Sequence, residues 1–192
     1  GASVGWFVLL TWCTSLIFIV IAVWAMTRTV DLRHRALWFA LSPALLLTLG
    51  INWDALAVMC VGLAMMFWSH DRRNSAVVAL AIGTAAKLFP ALLLVPFIAS
   101  VGGRNRGRQS AKLLAIFGIT WLAVNLPIAW QNRIGWWHFY EFSRERGIDF
   151  GSIWLTTEYL FGRKYSLEFA NTVGLAVVGV TALLLLLLGR RL

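Results

Sequence analysis

The stretch AIGTAAKLFPALLLVPF (81–97) is apolar on both sides of a single cation, Lys87, and carries Pro90 three residues further on. A charge inside a segment apolar enough for a bilayer costs roughly 3 kcal/mol or more, so it calls for a partner or a task. The competing reading is a lysine near an interface whose ammonium snorkels to the headgroups. The rest of the chain has to decide where in a membrane this segment sits.

The composition is that of a polytopic membrane protein. Of 192 residues, 60% are hydrophobic, 13% are charged and 11 are Trp, whereas soluble domains carry about 25% charge. Lys and Arg number 17 against 8 Asp and Glu, a net charge of +9. The cations fall in short clusters between apolar runs, which is the positive-inside pattern and not a nucleic-acid footprint. RNRGRQ (104–109) therefore reads as an anchoring loop beside anionic lipid. Cys13 and Cys60 lie inside apolar runs, so no disulfide and no metal spacing is implied. The chain opens with Gly1 at a span and closes on Arg190–Arg191–Leu192 after one, which reads as part of a longer polypeptide. No cleavable signal is visible.

At about 20 residues per crossing, the runs predict an all-α transmembrane bundle with spans near residues 4–26, 36–51, 55–68, 113–130 and 171–188. The linkers 27–35, 70–74 and 102–112 and the terminal 189–191 are basic and poor in acids, hence cytoplasmic, whereas 131–170 mixes both signs, hence exoplasmic. Both flanks of the lysine segment then lie on one side. A single crossing between 75 and 100 would invert everything after it. Two short arms, 75–87 up and 88–100 down, resolve the parity, each only about 20 Å long. Pro90 falls in the first turn of the second arm, where its missing N–H is harmless. Small residues (Ala76, Ala79, Ala81, Gly83, Ala85, Ala86) suit the first arm to close packing. Lys87 is expected at the hairpin tip, near the exoplasmic interface, where irregular backbone must be buried or line a wet cavity.

Two further stretches are unusual. In GINWDAL (50–56), Asn52 and Asp54 bracket Trp53 at the predicted exoplasmic end of the second span. Asp54 reads equally as the N-cap of the third span and as a carboxylate in a polar pocket with Lys87. In WWHFYEFSRERG (136–147), steps of about 100° put Trp136, Trp137, Phe139, Tyr140 and Phe142 on one arc and His138, Glu141 and Glu145 on the other, an interfacial amphipathic helix. Arg146 falls at the edge of the apolar arc and Arg144 at its other boundary. Each suits a lipid phosphate, or an acidic neighbour, or snorkelling. His138 and Glu141 have the spacing of a ligand pair, but one such pair does not make a metal site.

NWDALAV (52–58), AIGTAAKLFPALLLVPF (81–97), WLAVNLPIAW (121–130) and WWHFYEFSRERGIDFGSIW (136–154) together resemble glycosyltransferase family 87 over roughly residues 38–160. AAKLFP (85–90) inside its small-residue hairpin is the most specific part of the likeness. The resemblance implies a GT-C-like multi-pass enzyme of the plasma membrane. It would move a sugar, usually mannose or arabinofuranose, from a polyprenyl phosphate to an envelope lipid or glycan on the exoplasmic side. In such enzymes the general base is an acid in the first exoplasmic loop, a loop with no counterpart before Val4. Asp54 is then a supporting group, Lys87 the donor-phosphate clamp, Arg144 and Arg146 its helpers, and Asn52, Trp53, Trp136 and Trp137 the pocket wall. No metal or other cofactor is implied. Two other classes compete: a lipid or solute transporter with broken helices, against which stands the lack of a second AAKLFP-like element, and a non-catalytic scaffold of an envelope-synthesis complex, which would have no need of Lys87.

Overall fold

The computed structural model describes residues 2–29, 34–43, 45, 54–145, 148 and 152–189, and among these the secondary structure is helical, with no strand. In chain order the helices are α1 (Ala2–Arg28), α2 (Ala36–Ala40), α3 (Asp54–Ser69) and α4 (Arg73–Ala86). A 3-10 turn (Phe89–Leu93) leads into α5 (Leu94–Ala99), followed by α6 (Arg106–Gln131), α7 (Arg133–Glu145), α8 (Ile153–Phe161) and α9 (Leu167–Gly189). Among the described residues three helices are long and apolar enough to cross a membrane, over Val4–Arg28, Arg106–Gln131 and Leu167–Leu188. Their large side chains face outward, with Val20 at 65% and Leu175 at 72% exposure. In water that much bare apolar surface would drive association; in a bilayer it is the lipid contact.

The centre of the bundle is built on small residues. α1 and α3 run in parallel: a methyl on Gly62 would meet the Ala22 carbonyl oxygen at 3.3 Å, and the two C-terminal ends share one cavity. α3 and α4 are antiparallel, joined at residues 70–72 with Asp71 at a φ of 60°. Ala64, Ala76, Ala79 and Leu80 are buried between them with Phe97.

The chain turns back after α4. Lys87 leaves the helix in an extended conformation (φ −150°, ψ 142°), and Pro90 is buried in the following 3-10 turn. The return arm runs antiparallel to α4, since Val77 near the start of α4 shares a core with Val101 and Leu113, flanked by Leu94 and Ile98. At the base Trp68 stacks on Phe97 with ring centroids 4.2 Å apart. α4 has 14 residues, about 21 Å of rise, too short for the hydrocarbon core of about 30 Å.

Two boundaries differ from those read in the sequence. α6 begins at Arg106, seven residues before the apolar run, because Arg106, Arg108 and Gln109 are good helix formers and polar side chains do not stop a helix. Among the described residues of 131–170 a further helix, α8, follows α7. Ser152 caps it, its Oγ accepting from the Leu155 N–H at 3.2 Å, and Gly162 ends it in the left-handed region. Of the span expected over 36–51, helix α2 accounts for its first five residues, and residues 44 and 46–51 lie outside the described residues.

Candidate functional site at the hairpin tip

Asp54 is the first residue of α3 and Lys87 the C-cap of α4. Because the two helices are antiparallel neighbours, those ends coincide, and the Lys87 ammonium lies 3.0 Å from Asp54 Oδ1. Both groups keep access to solvent, with side chains 39% and 49% exposed. Asp54 sits in the first turn of α3, so the helix dipole also favours its negative charge. It is a helical residue and not the cap before the helix that the sequence suggested; Trp53, which occupies the preceding position, lies outside the described residues. The extended backbone at Lys87 is what lets the side chain turn sideways to Asp54 instead of continuing along α4.

Glycine is required just below the tip. A Cβ at Gly83 would stand 2.8 Å from Cys60 Cβ and 3.3 Å from Pro90 Cγ. This contact brings α3, α4 and the return arm together one turn before Lys87, and so sets the distance between Lys87 and Asp54.

The other wall of the tip is aromatic. Asn132 ends α6 and caps α7, its Oδ1 accepting from the Gly135 N–H at 2.8 Å. α7 is thereby turned back over the tip. Trp136 Nε1 donates to Oδ1 of Asn125 at 3.1 Å, and the Asn125 side-chain amide donates to the Trp121 carbonyl at 2.9 Å. Asn125 is buried within an otherwise apolar helix, and these two bonds satisfy it. Trp136 packs edge-on against Tyr140, centroids 5.1 Å apart. A cavity of about 440 Å³ lies beneath, bounded by Thr84, Ala86, Leu88, Asn125, Trp136 and Tyr140. A neighbouring apolar cavity of about 430 Å³ adds Phe117, Trp121 and Trp137. Ala86 and Leu88, the two neighbours of Lys87 in the chain, border the first cavity, whereas the Lys87 and Asp54 side chains line neither cavity and lie beside it.

Of the residues singled out from sequence, the structure brings Asp54, Lys87, Trp136 and Trp137 to this end of the bundle. Arg144 stands apart: its side chain is 77% exposed, 3.7 Å from the Glu145 carboxylate, and it lines neither cavity. Asn52, Trp53 and Arg146 lie outside the described residues. Asn125 and Asn132 were not singled out, although an asparagine in the middle of an apolar span is itself a signal of an internal polar contact. Among the described residues no three of His, Cys, Asp and Glu come together as a metal site would need.

Compared with family models, with curated proteins and with solved structures, the chain matches none.

Proposed function

We propose that the chain is a membrane glycosyltransferase of GT-C type, in the plasma membrane, with the hairpin tip and residues 131–166 on the exoplasmic side. Its donor is a sugar, mannose or arabinofuranose, on a polyprenyl phosphate; its acceptor is an envelope lipid or glycan. The observation that carries the reading is the half-exposed Lys87–Asp54 pair, held by a chain segment whose neighbouring residues Ala86 and Leu88 border an aromatic-walled cavity.

The chemistry suits that arrangement. In the transfer, the bond from the anomeric carbon to the phosphate oxygen breaks and a bond to the acceptor oxygen forms. The leaving polyprenyl phosphate gains negative charge as the bond lengthens. A fixed ammonium beside it stabilises the transition state more than the ground state. The aromatic walls offer faces for the sugar and a dry slot for the first prenyl units. In an in-line displacement the base that takes the acceptor's proton sits opposite the leaving group. Asp54, 3.0 Å from Lys87, is on the departure side; it orients the ammonium, and the base is a separate group.

The test is transfer from radiolabelled polyprenyl-phosphate mannose and arabinofuranose in membranes containing the protein. Lys87→Ala is expected to lower the rate about 10²- to 10³-fold, the usual loss for one transition-state donor, with insertion unchanged. Wild-type rates in that variant refute the clamp. Labelled lipid crossing vesicles without a new glycosidic bond assigns a transporter instead.

A further inference from the structure

At the opposite end of the bundle, the C-terminal ends of α1 and α3 and the start of α4 border a further cavity, of about 230 Å³, lined by Trp24, Arg28, Met66, Phe67, His70 and Arg72. α3 has 16 residues, so this cavity lies about 24 Å along the helix axis from Asp54. We propose that it is a binding site for the phosphate headgroup of an anionic glycerophospholipid from the leaflet that meets this end. The proposal rests on α1 lying in a bilayer and is independent of the transfer reaction.

The walls and the mouth differ in character. Trp24, Met66 and Phe67 are apolar and continue onto the outward face of α1, where Trp24 is 46% exposed. The mouth carries Arg28, His70 and Arg72, all exposed. Arg28 lies over the Trp24 ring, 5.8 Å from its centroid, a contact that holds the guanidinium at the cavity without neutralising it. The neighbouring Arg73 is otherwise engaged, donating to Asp71 at 3.2 Å. No such carboxylate contact is made by Arg28 or Arg72 among the described residues. His70 Nδ1 is bonded to the Met66 carbonyl oxygen at 2.8 Å, which leaves Nε2 to the cavity side or to solvent. Two planar forks above an apolar slot match a phosphate that carries acyl chains: the forks take the oxygens and the slot takes the chain. Basic side chains at helix C-termini also counter the helix dipoles, and that role alone predicts no preference among lipids.

The experiment is native mass spectrometry of the detergent-solubilised protein titrated with phosphatidylglycerol and with phosphatidylcholine. The wild type is expected to retain phosphatidylglycerol selectively. The double variant Arg28→Gln/Arg72→Gln should raise its dissociation constant at least about tenfold. Arg163→Gln/Lys164→Gln, which removes the same charge from exposed positions outside the cavity, should change it less than about twofold. Arg28→Lys/Arg72→Lys keeps the charge and the dipole contact but loses the forks; it is expected to bind with intermediate affinity, and it stands in if the glutamine pair does not fold. Equal loss in both glutamine pairs means a diffuse basic surface and overturns the site, as does unchanged binding in the lysine pair. Displacement of the lipid by millimolar inorganic phosphate would make the occupant a soluble anion and overturn the lipid assignment.

Discussion

The pair of Lys87 and Asp54 separates function from stability in a way that magnitudes make testable. With side chains 39% and 49% exposed, the pair is screened by solvent, and such pairs contribute roughly 0–1 kcal/mol. Lys87→Ala is therefore expected to move the thermal unfolding midpoint in detergent by less than about 4 °C, since 1 kcal/mol corresponds to roughly 2–4 °C in a chain of this size. A drop beyond 10 °C would make the pair a structural lock and remove the argument for a task. Asp54 offers the sharper contrast. As the residue that orients the ammonium, it is expected to tolerate Asn, which still accepts a hydrogen bond, with about a tenfold loss of transfer against the 10²- to 10³-fold loss for Lys87→Ala. Should Asp54→Asn cost more than Lys87→Ala and abolish the acid limb of the pH–rate profile, Asp54 is the base and the departure-side geometry is wrong. The lysine was legible in the sequence because an apolar run makes any charge conspicuous. Its pairing was not: the two residues are 33 positions apart, and the contact depends on how α3 and α4 align.

That alignment belongs to the helices. Gly83 permits it, its missing side chain facing Cys60 Cβ and Pro90 Cγ. Gly83→Ala puts a methyl 2.8 Å from a carbon that cannot rotate away, so it is expected to cost about 1–3 kcal/mol and to lower transfer by moving Lys87 from Asp54. Cys60→Ala keeps the offending Cβ and should not relieve the cost. Cys60→Gly removes it, and although glycine in a helix costs about 1 kcal/mol by itself, the double variant should show a favourable coupling of about 1 kcal/mol in a double-mutant cycle on thermal stability. Additive effects would mean that the helices do not meet there. The alanine-rich character of the first arm was readable as close packing, but the extended conformation of Lys87 was not, since Pro90 restricts Phe89 and not a residue three positions earlier. α8 is not marked by the charge pattern of residues 131–170; its signals are the cap at Ser152 and the left-handed Gly162 that bound it. α7 was readable from its arc of aromatics, but what turns it over the tip is the cap at Asn132 and the bond from Trp136 to Asn125, contacts that helical phase does not contain.

For the molecule as a whole, the three long apolar helices and the short hairpin among the described residues are compatible with an arrangement across a bilayer that labelling can test. α6 connects the base of the hairpin, near Arg106, with α7 over its tip, and its 26 residues rise about 39 Å, enough to cross. In the proposed orientation Asn105 and Ser166 face opposite compartments, with Lys87 on the side of Ser166. On the positive-inside expectation, the basic clusters at 70–74 and 102–112 put Asn105 on the cytoplasmic side of that proposed arrangement. Both positions are exposed, so single cysteines there, in a background with Cys13 and Cys60 replaced by alanine, can be labelled with an impermeant maleimide in intact cells. Ser166→Cys is expected to react in intact cells and Asn105→Cys only after the membrane is opened. A third cysteine at Leu88, exposed at the tip, should behave like Ser166→Cys. If instead Leu88→Cys reacts only with opened membranes while Ser166→Cys reacts in intact cells, the hairpin tip and α7 lie on different sides. The aromatic cavity would then not exist in the membrane, and the transfer site built on it would fall with it.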